Sequence, residues 1–200
     1  MVIDNDNSYI DILQTKYFPN CTGKVVLEIG ASIGYHSKLI SENFPKYFEV
    51  IESNENCYEL LKKNEKIDNI IIDNVFSVLR DYKKFDIVVC FGVLYHLPHS
   101  LHLLELIVNY NNPDIIMLDS YIENQIRSIP EPINEPGHRY VNKNWKTCGV
   151  NIILPFENID LCLSNLGYKL KEQDFLNISY GPIYETSKNN SWLALWEKAT

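Results

Sequence analysis

Four stretches of the chain carry residues whose types and spacing could do chemistry. In VVLEIGASIGYH, residues 25–36, an apolar run ends in Glu28, and Gly30 and Gly34 then bracket a turn of small residues. Small residues in such a turn either let a ligand approach the backbone closely or simply permit a tight strand-to-helix connection. A turn of the Gly-x-Gly-x-x-Gly type would set a pyrophosphate on the next helix's amino terminus. Here the glycine spacing differs, and Glu28 would repel a pyrophosphate while attracting an ammonium or sulfonium. The balance moves from a nicotinamide dinucleotide toward a cationic nucleoside. The other three stretches are FEVIES around Glu52, IIIDN around Asp73, and FDIVVCFGVLYHLPHS, residues 85–100.

The elements that must position these residues follow from the apolar pattern. Short runs that are apolar at consecutive positions predict buried strands at Val25–Ile29, Phe48–Ile51, Ile70–Ile72, Ile87–Phe91 and Ile115–Leu118. Helical patterns intervene at Tyr35–Asn43, Glu55–Asn64 and Ser100–Tyr110. Residues 8–18 have helical spacing, with Ser8 as an N-cap candidate. Phe156–Leu166 predicts a helix stopped by Gly167, and Tyr168–Ile178 and Ser191–Glu197 predict a closing antiparallel pair. The fold class expected is α/β: a Rossmann-like, doubly wound sheet of about seven strands. Most strands would be parallel and the last antiparallel, with helices on both faces. Ligands of such sheets bind beyond the carboxyl ends of the strands, near the switch point. The expected organisation is one domain, 1–200, with an amino-terminal helix in 1–20.

Residues 121–150 break the pattern with Pro130, Pro132, Pro136 and Gly137 and no sustained period. A stretch this long inside a compact domain is usually functional or disordered. Since it follows the fifth strand, 121–154 is expected as a substrate-side lid, with a surface insertion as the alternative. Its aromatic residues Tyr121, Tyr140 and Trp145 would cover a compact ligand pocket.

Composition bounds the partners. The 200 residues are 46% hydrophobic and 22% charged, with a formal net charge of −8. An acidic chain disfavours nucleic acid, whose binders neutralise phosphate. Arg127, Arg139, Lys143 and Lys146 are the cations available around 121–150. Five scattered cysteines with no CxxC argue against a disulfide framework or zinc knuckle and point to a cytoplasmic setting. No membrane span is expected, because no stretch approaches the ~18 apolar residues a span needs.

The segment 25–36 resembles motif I of the class I S-adenosylmethionine-dependent methyltransferases, an acid followed by Gly-x-Gly-x-Gly. Glu28, Gly30 and Gly34 match, and Ser32 stands where the middle glycine would be, which requires a conformation there that is open to an L-residue. The resemblance covers roughly residues 25–120 and implies S-adenosyl-L-methionine as cofactor, held at Glu28, Gly30, Ala31, Ser32 and Gly34. Glu52, 24 residues after Glu28, would accept from the ribose hydroxyls with Ser53 beside it. Asp73 would accept from the adenine amine, with Asn74 adjacent; an acid here could equally cap the next helix. FDIVVCFGVLYH resembles a segment of the subset that includes the tRNA wobble-uridine carboxymethyltransferases. In that pattern Asp86 is structural and Phe91 and Gly92 run along the methionine part. Tyr95 and His96 face the departing methyl group and are the catalytic candidates.

His96 has two readings, a general base near neutral pH or a scaffold group holding the loop. His96, His99 and His102 stand three apart, but Pro98 breaks the geometry and no metal is expected. The leading expectation is methyl transfer to an oxygen of a small molecule or glycan. The alternatives are a tRNA-modifying enzyme and a non-catalytic S-adenosylmethionine-binding domain.

Overall fold

The computed structural model describes residues 6–79, 84–122, 127–130, 150–177 and 190–199. Nine strands lie among the described residues: β1 (Val25–Ile29), β2 (Tyr47–Glu52), β3 (Asn69–Ile72), β4 (Ile87–Cys90), β5 (Ile115–Tyr121), β6 (Arg127–Pro130), β7 (Val150–Ile153), β8 (Tyr168–Asn177) and β9 (Asn190–Lys198). Seven of them form one sheet in the order β3-β2-β1-β4-β5-β9-β8. The pairs β3–β2, β2–β1, β1–β4 and β4–β5 are parallel, while β9 runs antiparallel to both β5 and β8. The chain leaves β1 toward β2 on one side and places β4 on the other, so the switch point lies between β1 and β4.

The consecutive apolar runs are buried because both faces are covered. On one face Val26, Phe48, Val50 and Val89 pack with Leu39, Ile40 and Leu61 of α2 (Tyr35–Glu42) and α3 (Tyr58–Leu61), numbered after α1 (Asp6–Ile12). On the other, Leu27, Ile29 and Val88 pack with α4 (Val75–Val78), α5 (Ser100–Leu106) and α6 (Phe156–Asn165) through Val75, Leu103, Leu104, Ile159 and Leu163. Trp192 and Trp196 of β9 are fully buried against Phe156, with ring centroids 5.1 and 5.8 Å from it. Asp86 fixes the start of β4 beside β1, accepting from the Val25 amide at 2.9 Å, which is the structural part expected of it.

Several boundaries differ from the pattern. Helix α1 begins at Asp6, so Ser8 lies within it rather than capping it, and a π-helical turn at Leu13–Tyr17 follows. The pattern predicts one helix over Glu55–Asn64; a 3-10 turn at Glu55–Cys57 leads into a shorter α3. Strand β5 runs on to Tyr121, past the end of its apolar run, because β9 supplies a partner for each residue from Ile115 to Tyr121. The expected lid holds regular structure at its flanks, where β6 and β7 pair antiparallel, Arg127 opposite Ile153. Residues 131–149, with Tyr140 and Trp145, lie outside the described residues.

Candidate active site

The turn after β1 is shaped by two glycines. Gly30 has φ +79°, and its amide donates to Ile51 O at 2.8 Å. A Cβ there would lie 2.1 Å from Val93 Cγ2, so both the backbone and the β4 side of the crevice exclude a side chain. Gly34, at φ +86°, opens α2, and a Cβ on it would meet Leu61 Cδ2 at 3.1 Å. Ala31 between them is buried. Ser32 departs from expectation: its φ of +51° is in the left-handed region, which L-residues enter only at a cost.

Two of the three strand-end acids come together. Glu28 points under α2, 2% exposed, where the Ser37 hydroxyl donates to it at 2.6 Å. Burial pushes its carboxyl up to about 8; the Ser37 hydrogen bond opposes that and the charge of Glu52 adds to it. Glu52 is 7% exposed and accepts on both oxygens, from the Ser32 amide at 2.7 Å and the Asn54 amide at 2.8 Å. The Ser53 hydroxyl lies 3.4 Å from the same carboxylate. Glu52 therefore ties the glycine turn to the tip of β2; Oε2 keeps a lone pair for a further donor, while Oε1 has its second on the Ser53 hydroxyl through a long bond.

Asp73 differs. It is exposed, and its carboxylate accepts from the amide of the next residue, Asn74, at 2.6 Å. The cap of α4 is Asn74, accepting from the Phe76 amide at 2.9 Å, and not the acid.

The carboxylate that sequence reasoning missed is Asp119. It is 7% exposed near the carboxyl end of β5 and accepts from the amide of Gly92, the residue expected beside the methionine part. Burial pushes it up to about 7, against the stabilising hydrogen bonds of the Gly92 amide and the Tyr9 hydroxyl. Tyr9 Oη also lies 3.0 Å from His36 Nε2. Burial moves the His36 imidazole down to about 4. The His36 ring stands edge-on to Phe91 at 5.3 Å, and Phe91 stacks on Phe18 at 6.0 Å. The available signal was an acid directly after an apolar run, the same pattern that marks Glu28 and Glu52.

The turn Leu94–His96 brings the catalytic candidates to the same edge of the sheet. The Tyr95 ring lies 4.4 Å from His96 and 4.6 Å from Tyr121, centroid to centroid. Tyr95 Oη sits beside Gly92, 3.6 Å from where a Cβ would stand. Strand β7 packs against this turn. His102 is elsewhere, stacked on Phe76 with centroids 6.0 Å apart and its Nδ1 3.2 Å from Glu105. Among the described residues no three His, Cys, Asp or Glu side chains form a metal-holding group.

The crevice thus offers Glu28, Glu52 and Asp119 toward the carboxyl ends of β1, β2 and β5, and among the described residues no lysine or arginine pairs with any of them. Buried carboxylates without cations fit a ligand that brings its own positive charge.

A family model described as a methyltransferase domain matches residues 4–169, and the chain belongs to that family. It is an S-adenosylmethionine-dependent methyltransferase with the Rossmann-like sheet of its class, and S-adenosylmethionine is its cofactor. A search of curated protein sequences gave no significant match. Among solved structures, it is similar to magnesium protoporphyrin IX methyltransferase from Synechocystis PCC 6803 with bound S-adenosylmethionine, at 11% identity and a TM-score of 0.67, covering 98% of this chain and 80% of that one. The amino-terminal domain of EvdMO1, crystallised with S-adenosylhomocysteine and D-fucose, is 16% identical, with a TM-score of 0.63 and coverage of 98% and 82%. An S-adenosylmethionine-dependent methyltransferase from Mesorhizobium loti is 12% identical, with a TM-score of 0.67 and coverage of 94% and 98%. No helix among the described residues is long and apolar enough to cross a membrane.

Proposed function

We propose that the enzyme methylates an oxygen of a small molecule or glycan. The observation that carries this reading is the aromatic shelf of Tyr95, Tyr121 and His96 at the carboxyl edge of the sheet, with rings 4.4 and 4.6 Å apart. Aromatic faces hold the C–H faces of a sugar or a flat ring, and compact pockets of this kind are mostly apolar with few polar groups. The EvdMO1 domain, a fold neighbour crystallised in the presence of a deoxysugar, supports a sugar on such a scaffold.

The turn from Gly30 through Ala31 and Ser32 to Gly34 lies against the nucleoside, and Glu52, with Ser53 beside it, accepts from the ribose hydroxyls. Asp73 and Asn74 stand at the adenine end, and Phe91 and Gly92 at the amino-acid end. Glu28, near 8 without ligand, lies behind the turn, where a positive sulfur would favour its ionised form.

When bound, S-adenosylmethionine supplies a methyl carbon already activated by positive sulfur. What the protein adds is alignment and exclusion of water. Tyr95 and Tyr121 fix the acceptor's plane, and the His96 imidazole takes the hydroxyl proton as the oxygen attacks.

Two acceptor panels incubated with cofactor labelled in the methyl group test this: neutral sugars, sugar nucleotides and phenols against bulk tRNA. Label is expected in the first panel, with kcat about a hundredfold lower for His96→Ala at pH 7 and part of the loss recovered at high pH. Label confined to tRNA would replace this reading with the nucleic-acid one.

A further inference from the structure

We propose that Asp119 is a positioning residue: its carboxylate fastens the Gly92 turn to α1 through Tyr9, making α1 the closure over the amino-acid end of the cofactor crevice. The proposal rests on placing that end of the cofactor at Phe91 and Gly92, as above.

Three elements meet on one buried carboxylate. Asp119 of β5 accepts from the amide of Gly92, which follows β4, and from the hydroxyl of Tyr9 in α1. Tyr9 Oη in turn is 3.0 Å from His36 Nε2, in the first turn of α2. A phenol has one proton. With Asp119 ionised, that proton goes to the carboxylate and His36 Nε2–H donates to the phenol oxygen. Every group in the chain is then satisfied, and the anchor is a charge-assisted hydrogen bond. Protonating Asp119 removes the charge that draws both Gly92 and Tyr9 inward.

The rest of the amino-terminal segment is held independently. Lys16 and Tyr17 both reach Asp174 of β8 at 2.8 Å, and Phe18 stacks on Phe91. Leu13 and Tyr17 are fully buried. Tyr9 thus ties α1 itself to the crevice by a polar contact, and the π-helical turn Leu13–Tyr17 is where α1 would pivot if that tie were cut.

The titratable groups around Asp119 are Tyr9 of α1, His36 of α2 and Cys90 of β4; β9 contributes Leu193 opposite it. The Cys90 thiol is held protonated by burial and also by the charges of Asp119 and of Glu28 on β1. As pH rises from 6 to 7.5 Asp119, near 7, gains charge ahead of Glu28, near 8, while His36, near 4, stays neutral, and Asp119→Asn separates the two carboxylates.

The test uses the full chain, Tyr9→Phe and Asp119→Asn, with S-adenosylhomocysteine as the probe. Amide hydrogen exchange over residues 6–12 without ligand is expected to rise about tenfold in both variants, the loss of one hydrogen bond. Dissociation of S-adenosylhomocysteine should quicken by about the same factor. Wild-type affinity should climb from pH 6 to 7.5, and Asp119→Asn should flatten that climb. If both variants keep wild-type exchange and dissociation and only melt earlier, the bond is structural and the proposal falls. If Asp119→Asn does not fold, Tyr9→Phe decides alone, since it removes only a hydroxyl. A wild-type chain that fails to bind the probe would overturn the cofactor placement and this proposal together, whereas normal binding with unaltered variants overturns this proposal alone.

Discussion

At the ends of β2, β1 and β5, Glu52, Glu28 and Asp119 are buried, and Glu52 is bonded through both oxygens to backbone amides. At the β3 end Asp73 stands in solvent, bonded to the amide of its own neighbour. The two ends use the same residue chemistry with opposite electrostatic force. A carboxylate fixed by amides and shielded from water meets a donor at full strength, while one in solvent exchanges water for ligand at little gain. On the cofactor placement proposed above, recognition is concentrated at the ribose and amino-acid end, and the adenine end is read shallowly.

The largest effect should separate these two ends directly. Glu52→Ala removes the acceptor for a hydroxyl pair and also releases the Ser32 amide that shapes the glycine turn. Its dissociation constant for S-adenosylhomocysteine should rise about a hundredfold, the scale of losing charge-assisted hydrogen bonds. Asp73→Ala should raise it about threefold at most, as suits an exposed group. Calorimetric titration of both variants measures the ratio. Equal losses would erase the contrast and bring Asp73 into the bound site.

Sequence pattern reaches some of this and stops for identifiable reasons. The apolar runs foretell the five parallel strands because a strand covered on both faces leaves no polar alternation to obscure it. Glu28, Gly30, Gly34 and Glu52 are legible because each follows such a run at a fixed offset. Asp119 follows its run Ile115–Leu118 in the same way, but nothing in the run marks it as buried: that depends on β5 continuing to Tyr121 in pairing with β9, a partner far along the chain. Tyr9 and His36 carry no local mark at all, since their meaning is a distance of 3.0 Å across 27 residues. Asp73 shows the converse. Its position after a run is as regular as that of Glu52, but offset along the chain says nothing about exposure. The aromatic content of residues 121–150 pointed to a cover, while the β6–β7 pairing was invisible, because a four-residue strand beside prolines has no period to detect.

A second effect sharpens the buried end by pH. Glu28 sits near 8 in the folded chain, above the ordinary 4.5, so as pH rises the unfolded chain gives up that proton first. Its contribution to stability is whole below about pH 4.5 and is lost as pH rises through about 8. Glu28→Gln still accepts from Ser37 but cannot ionise. Without ligand, its melting temperature should exceed that of the wild type by several degrees at pH 8 and converge with it near pH 5. Parallel melting curves for the two across that range would show that Glu28 carries no linked proton.

The smallest effect asks whether the turn itself reads the ligand by backbone or by side chain. Ser32 holds φ +51°, a conformation that costs an L-residue roughly 1 kcal/mol and glycine almost nothing. Glycine also loosens the unfolded chain, which offsets part of the gain, so Ser32→Gly should stabilise by about 0.5 kcal/mol, or one to two degrees on a chain of this size. The bond from residue 32 to Glu52 is made by the amide, and glycine keeps it. Affinity for S-adenosylhomocysteine should therefore stay within about twofold, the outcome expected when backbone donors and the Glu52 carboxylate shape this end. A tenfold loss of affinity beside the gain in stability would instead mean that the Ser32 hydroxyl contacts the nucleoside, and that the left-handed serine is kept for binding at the expense of the fold.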